Sequence, residues 1–307
     1  MIREKVVLVT RRTRLEDLLE RFGTKPQARF YLEREGQDFA FYEAEHDAYR
    51  RALEGLRRSL DFGIPVHAID RSFLPTYLFA DKDVVVTAGQ DGLVANAAKY
   101  VQGRPIVAVN PDPSRIDGIL LPFRLDQARE GAAAALEGRA SLRDVTLAEA
   151  RLADGSRLLA FNDLFIGPRT HVCARYLLRH GPRSERQCSS GLIVSTGAGS
   201  TGWLSSAFNM AAGLASVFGG GSVRPLRLDW EDPRLVYVVR EPFLSRESHA
   251  GLVAGFVEAG GELVLESLMP SGGVVFSDGV EADSLPFDSG AVLRVAAARE
   301  RARLAVP

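Results

Sequence analysis

The sequence predicts a two-part fold, an α/β domain with a largely parallel sheet followed by an antiparallel, β-rich domain, within 307 residues. Three observations predict it. In the first third, short apolar runs alternate with helical patterns, the rhythm of βαβ units. After about residue 140, helical spacing gives way to alternation and turn signals. Two apolar runs, one in each part, lead straight into loops of small residues, at 87–92 and 195–202.

Strands are expected at 6–9, 66–69, 84–86 and 106–109, where β-branched residues run together. Tyr49, Leu53, Leu56 and Leu60 mark one face of a helix over 43–60, and Leu93, Val94, Ala97, Ala98 and Val101 mark another. The Ala-rich stretch 127–136 reads as a helix that Gly138 ends. Beyond it, Val145 and Leu147 alternate with polar neighbours, Asp154-Gly155 reads as a hairpin turn, and 158–166 resumes an apolar strand. Further strands are expected at 172–178, 192–194, 235–239, 251–257, 263–267, 274–276 and 292–296. The division is 1–138 for the α/β domain, 139–290 for the β-rich domain, and a segment 291–307 returning toward the first domain, with the ligand site in the cleft between them. No low-complexity linker or internal repeat interrupts the chain.

Composition narrows the function classes. Lys and Arg number 38 against 39 Asp and Glu, a formal net charge of −1, so global charge gives no case for nucleic-acid or membrane binding. No apolar run approaches the roughly 20 residues of a membrane span. Met1-Ile2-Arg3-Glu4-Lys5 enters an apolar run at once without a leader pattern, which makes a cytoplasmic enzyme the expectation. The two cysteines, Cys173 and Cys188, lack metal-ligand spacing and are expected as free thiols. The five histidines are scattered, so no protein metal site is expected.

The two loops carry the chemistry. Thr87-Ala88-Gly89-Gln90-Asp91-Gly92 follows a strand and opens a helix, whose N-terminus favours negative charge above it. Asp91 there either caps the helix or serves as a carboxylate beside bound phosphates, accepting a proton from a hydroxyl or helping to hold a metal. The loop lacks the Gly-Lys-Ser/Thr ending of a P-loop and the Gly-x-Gly-x-x-Gly dinucleotide fingerprint. The second loop, Ser195 to Gly202, mixes glycines that admit close backbone approach with hydroxyls that meet phosphate or ribose. On its own, Asn162-Asp163 reads as a turn or bulge pair or as a ligand pair, and Asp278-Gly279 as a hairpin turn or a site element. Arg11, Arg12 and Arg14 read as phosphate contacts or a solvated loop, and Trp203 reads as a core aromatic or as a ring that stacks on a base.

Gly89-Gln90-Asp91-Gly92, Asn162-Asp163, the Thr196–Trp203 loop and Asp278-Gly279 occur in an order and spacing that resemble the NAD kinase family. Val9-Thr10-Arg11-Arg12-Thr13-Arg14, the run from Val109 to Arg115 and Arg240-Glu241-Pro242 are similar to the branch of that family found in animal mitochondria. The resemblance implies a Rossmann-like α/β domain and a β-sandwich-like partner, as in the wider NAD kinase and diacylglycerol kinase fold. It implies transfer of the ATP γ-phosphate to the adenosine ribose 2′-hydroxyl of NAD(H), with Mg²⁺ arriving with ATP, and at least a homodimer. It assigns Asp91 as the catalytic carboxylate. It assigns Gly89, Gln90, Gly92, Asn162, Asp163, Thr196, Gly199, Ser200, Thr201, Gly202 and Asp278 to substrate binding.

The chain departs from the family pattern at three places. Gln90 stands where the loop has its second Gly, and a Gln at positive φ costs about 1 kcal/mol or more. Leu93 replaces a Thr hydroxyl, and Asp163 is one methylene shorter than the family Glu. Two alternatives therefore stay open: a non-catalytic NAD(P) sensor, and a related kinase acting on a lipid or sugar hydroxyl.

Overall fold

The computed structural model describes residues 5–307. The stretch 1–4, read above for the lack of a leader, lies outside the described residues. The chain forms two compact units, one running to Arg143 and completed by Arg303–Pro307, the other Asp144–Ala302.

The first unit contains β1 (Val6–Thr10), α1 (Arg14–Phe22), α2 (Lys25–Arg34), α3 (Phe39–Ser59), β2 (Val66–Asp70), β3 (Val84–Ala88), α4 (Asp91–Tyr100), β4 (Pro105–Asn110), β5 (Phe123–Arg124) and α5 (Ala128–Glu137). Strand order is β2-β1-β3-β4, all parallel. Such a sheet is buried on both faces, which is why its strands read as unbroken apolar runs rather than alternating ones. Val6, Leu8, Val84, Val86, Val107 and Val109 meet Tyr49, Leu53 and Leu56 of α3 and Ala128, Ala132 and Ala135 of α5. Meanwhile α4 runs against β3, β4 and a 3-10 turn at Arg71–Thr76. Gly138 ends α5 at φ 72°. The helix read over 43–60 begins earlier, at Phe39, because the Asp38 side chain caps the Ala40 N–H. Two helices went unread, α1 and α2. Thr13 and Glu16 form a capping box on α1, and Thr24 caps α2.

The second unit follows with β6 (Ser141–Leu152), β7 (Arg157–Ala160), β8 (Asp163–Pro168), β9 (Ala174–His180), β10 (Arg183–Ser189), β11 (Leu192–Ser195), α6 (Trp203–Phe218), β12 (Leu235–Val239), β13 (Ala254–Val257), β14 (Leu263–Ser267), β15 (Gly273–Ser277), β16 (Val280–Pro286) and β17 (Val292–Val306). One antiparallel sheet runs β10-β9-β14-β17, with β6 and β7 joined to it; the other runs β13-β12-β11-β8-β15-β16. The two share one core, in which Tyr176, Leu178, Leu265 and Leu293 of the first meet Leu164, Ile166, Val194 and Tyr237 of the second. Successive side chains of a strand point to opposite faces. With Leu164 and Ile166 in the core, Asp163 and Phe165 lie on the outer face of β8. The end of β17 belongs to the first unit, where Arg303 and Leu304 pair in parallel with Pro105 and Ile106.

Asp154-Gly155 does turn the β6–β7 hairpin, with Gly155 at φ 89°. The expectation of free thiols is corrected. Cys173 and Cys188 form a disulfide with Cα atoms 5.8 Å apart. The β9–β10 register, with Cys188 opposite Arg175, brings together residues whose spacing in sequence gave no sign of pairing. Among the described residues no helix is long and apolar enough to cross a membrane.

Candidate active site

In the first unit, β3 ends at Ala88 and α4 begins at Asp91. Gly89 lies so close to Leu93 that an added Cβ would stand 2.6 Å from its Cδ2. Leu93 is buried beneath the loop, so this position presents no group to a ligand. Gln90 is the N-cap, extended at φ −101° and ψ 170°. The strain expected for Gln at a glycine position therefore does not arise, because this backbone suits any residue. Asp91 Oδ1 accepts the Leu120 N–H at 2.7 Å, which ties the carboxylate to the loop before β5. The first turn of α4 favours that carboxylate electrostatically. Gly92 is exposed, and an added Cβ there meets nothing within 4 Å.

In the second unit, Asp163 opens β8 with Asn162 just before it, and Asp278-Gly279 turn the β15–β16 hairpin. Asp278 has φ 53° and Gly279 φ 70°, so both turn residues are left-handed, as a two-residue type I′ hairpin requires. The turn also carries a clamp. The Asp278 carboxylate accepts backbone N–H groups from Phe161 at 3.0 Å, Asn162 at 2.6 Å and Asp163 at 3.2 Å. Its carboxylate thus fixes the Asn162-Asp163 backbone. The Asn162 carbonyl accepts the Thr196 N–H at 2.9 Å, while its side-chain amide makes no hydrogen bond among the described residues. Asp163 is 7% exposed. Burial, with the Asp278 charge adding to it, raises its carboxyl from 3.8 to about 7.

The small-residue loop divides into builders and rim. Thr196 is fully buried; its hydroxyl donates to the Phe161 carbonyl at 2.5 Å and accepts the Gly199 N–H at 3.2 Å. Ser200 donates to the Gly197 carbonyl at 2.7 Å and accepts the Leu228 N–H at 3.3 Å. A Cβ on Gly199 would collide with the Asn162 carbonyl, and one on Gly197 with that of Asp229. These residues shape the loop, and Thr201 and Gly202 form its exposed rim.

Of the two readings of Trp203, full core burial does not hold: it is half-buried against the outer face of the six-stranded sheet. It stacks on Phe165 with ring centroids 5.6 Å apart, and Phe165 meets Phe276 at 4.9 Å. The Arg240 guanidinium lies 5.4 Å from the Trp203 ring centre and 5.8 Å from that of Phe165. These groups, with His171, Ser190 and Glu281, line a cavity of about 520 Å³. Phe165 and Phe276 were missed as site residues. The available signal was strand alternation, which puts Phe165 on the same face as Asp163.

The N-terminal arginines separate. Arg12 is half-exposed and pairs with Asp17 and Glu20. Arg14 is the first residue of α1, whereas the Arg11 side chain is only 12% exposed and pairs with Glu45 at 3.0 Å.

No family model matches this chain. Among curated proteins, it is 26% identical to rat mitochondrial NAD kinase 2 over 316 aligned positions, covering 79% of this chain and 74% of that protein. It is 27% identical over 229 positions to a probable NADH kinase of japonica rice, covering 64% of this chain and 63% of that protein, less than two thirds of its length. Among solved structures, yeast NADH kinase complexed with NADH matches with a TM-score of 0.56 at 16% identity, over 99% of this chain and 84% of that one. An NAD kinase from Archaeoglobus fulgidus in complex with ATP matches with a TM-score of 0.55 at 17% identity, over 98% and 92%.

Proposed function

Because this chain stands with the NAD kinases in sequence and in fold, we propose that it transfers the γ-phosphoryl group of ATP to the adenosine ribose 2′-hydroxyl of NAD(H), giving NADP(H). The observation that carries the reading is Asp91. Its carboxylate sits at the N-terminus of α4, one oxygen anchored by the Leu120 N–H and the other left for a substrate hydroxyl. Phosphoryl transfer depends on alignment and charge neutralisation more than on covalent chemistry. Asp91 orients the 2′-hydroxyl and accepts its proton, help typically worth about 10²–10⁴ in rate. The Asn162 amide, on a backbone fixed by the Asp278 clamp, and the Asp163 carboxyl bind the dinucleotide, with Thr201 and Gly202 at the loop rim. The cavity walled by Trp203, Phe165 and Arg240 falls in the size range of small-molecule sites and offers aromatic faces to a planar ring. Magnesium enters as part of the Mg-ATP substrate.

The test is NADP formation by purified protein from Mg-ATP with NAD or NADH, run beside Asp91→Asn. Turnover is expected in the native protein and a loss of about 10²–10⁴-fold in the variant, with NAD affinity retained by calorimetry. NAD binding without any turnover in the native protein defeats the kinase reading and leaves a sensor.

A further inference from the structure

The cavity beside Trp203 has one part of its wall tied by backbone hydrogen bonds and another tied by a covalent bond. Residues 168–172 form one continuous stretch of the lining, and Ser190, Arg240 and Glu241 form part of the rest. All of them belong to the second unit. The 188–191 and 240–243 segments hold each other firmly. Ser190 N–H donates to the Arg240 carbonyl at 2.9 Å, Arg240 N–H to the Gly191 carbonyl at 2.8 Å, and Phe243 N–H to the Cys188 carbonyl at 2.8 Å. Ser189 between them is buried, its hydroxyl 2.8 Å from that of Tyr176. Cys188 therefore stands on a fixed frame.

The 168–172 stretch is tied in another way. Arg169 N–H donates to the Gly272 carbonyl at 2.8 Å, and Ala174 is fully buried as the first residue of β9. Between these anchors the backbone of 170–172 makes no hydrogen bond among the described residues, and 169–173 are all exposed. Segments with so few bonds sit at the low-stability end of a fold. Among the described residues, the bond that ties this stretch to the fixed frame is the Cys173–Cys188 disulfide. Cys173 is exposed and Cys188 partly so, which leaves the sulfurs open to attack.

We propose that the Cys173–Cys188 disulfide is a redox latch on this cavity: it holds 170–172 in place as wall, and a dithiol reductant frees that wall and weakens binding of the dinucleotide. The effect on binding rests on the reading that the cavity takes a ring of NAD(H). A thiolate of the dithiol attacks the Cys173 sulfur and expels Cys188 as a thiolate. The second thiol of the reductant then attacks the mixed disulfide and expels Cys173. Two electrons and two protons pass to the protein, which ends with two thiols, while the reductant ends as a cyclic disulfide. A wall that closes for a tenth of the time lowers the apparent affinity about tenfold.

The test compares the full chain before and after treatment with dithiothreitol, and again after reoxidation. Thiol titration of the folded protein is expected to rise from none to both cysteines. Limited trypsin digestion, read by mass spectrometry, is expected to cut after Arg169 about tenfold faster in the reduced form. Calorimetry is expected to show NAD bound about tenfold more weakly by that form, with full recovery on reoxidation. Cys173→Ser combined with Cys188→Ser is expected to match the reduced chain and to ignore dithiothreitol. Should that variant fail to fold, the reduction and reoxidation cycle on the native chain gives the same answer. Equal cutting and equal NAD affinity in both forms overturn the latch, as does global unfolding on reduction, which makes the disulfide a structural staple. Faster cutting with unchanged NAD affinity also overturns it and leaves the kinase reading in place. Faster cutting with no NAD bound by either form shows that the disulfide holds the wall and removes the dinucleotide reading.

Discussion

Replacing Asp163 by Asn should abolish a large pH dependence of stability. Asp163 is buried beside the Asp278 carboxylate, and its carboxyl is raised from 3.8 to about 7. The folded chain therefore holds this proton more tightly than the unfolded chain does. Stability contributed by the neutral carboxyl is fully present below the unfolded value and is lost as pH rises toward the folded one. The shift of about three units corresponds to about 4 kcal/mol in total. A little over a third of that is lost by about pH 5 and the rest by about pH 7.5. In Asp163→Asn this loss is absent, and every other titrating group is retained. Urea unfolding of both proteins from about pH 5 to about pH 8 reads the difference directly. The native chain is expected to lose about 2.5 kcal/mol relative to the variant across that range. A native-minus-variant difference that stays flat with pH refutes the buried, proton-holding carboxyl.

Four further variants have expected outcomes. Leu93→Thr, which restores the hydroxyl that the family places after the loop, removes a buried side chain packed on Gly89; unfolding should show a loss of about 2–4 kcal/mol and assays no gain in turnover. Gly92→Ala enters open space and should leave stability equal or up to about 1 kcal/mol higher while lowering turnover. By contrast Gly199→Ala drives a Cβ into the Asn162 carbonyl and should cost about 3 kcal/mol or more, both read by thermal melts and rate assays. Asp278→Asn removes the charge that holds three backbone N–H groups. It should cost about 1.5–3 kcal/mol and shrink the pH dependence assigned to Asp163, because one of the two causes of its shift is gone.

The parallel strands were legible in sequence because both sheet faces are buried, so Val6–Val9 and Val84–Val86 read as continuous apolar runs. Helix α3 was legible from the spacing of Tyr49, Leu53 and Leu56. Helices α1 and α2 were not, since their apolar residues Leu15, Ala28 and Leu32 gather in a small cluster of their own. Only the caps at Thr13 and Thr24 announced them. Both glycine loops were visible, as each follows an apolar strand. The Asp278 clamp was out of reach, because it joins residues 115–117 positions apart. Sequence equally gives no φ for Gln90, whose extended backbone removes the strain inferred from the glycine it replaces. The Trp203–Phe165–Phe276 cluster draws its rings from three elements, and only their packing reveals it.

The central claim is tested most directly by following the phosphate itself. Purified protein is incubated with NAD and ATP labelled in the γ-phosphate, and the product is resolved by phosphorus NMR and mass spectrometry. The account predicts label in a monoester on the adenosine ribose 2′-oxygen, formed by the native chain and lost with Asp91→Asn. Label at any other position, or none transferred by the native chain, contradicts it.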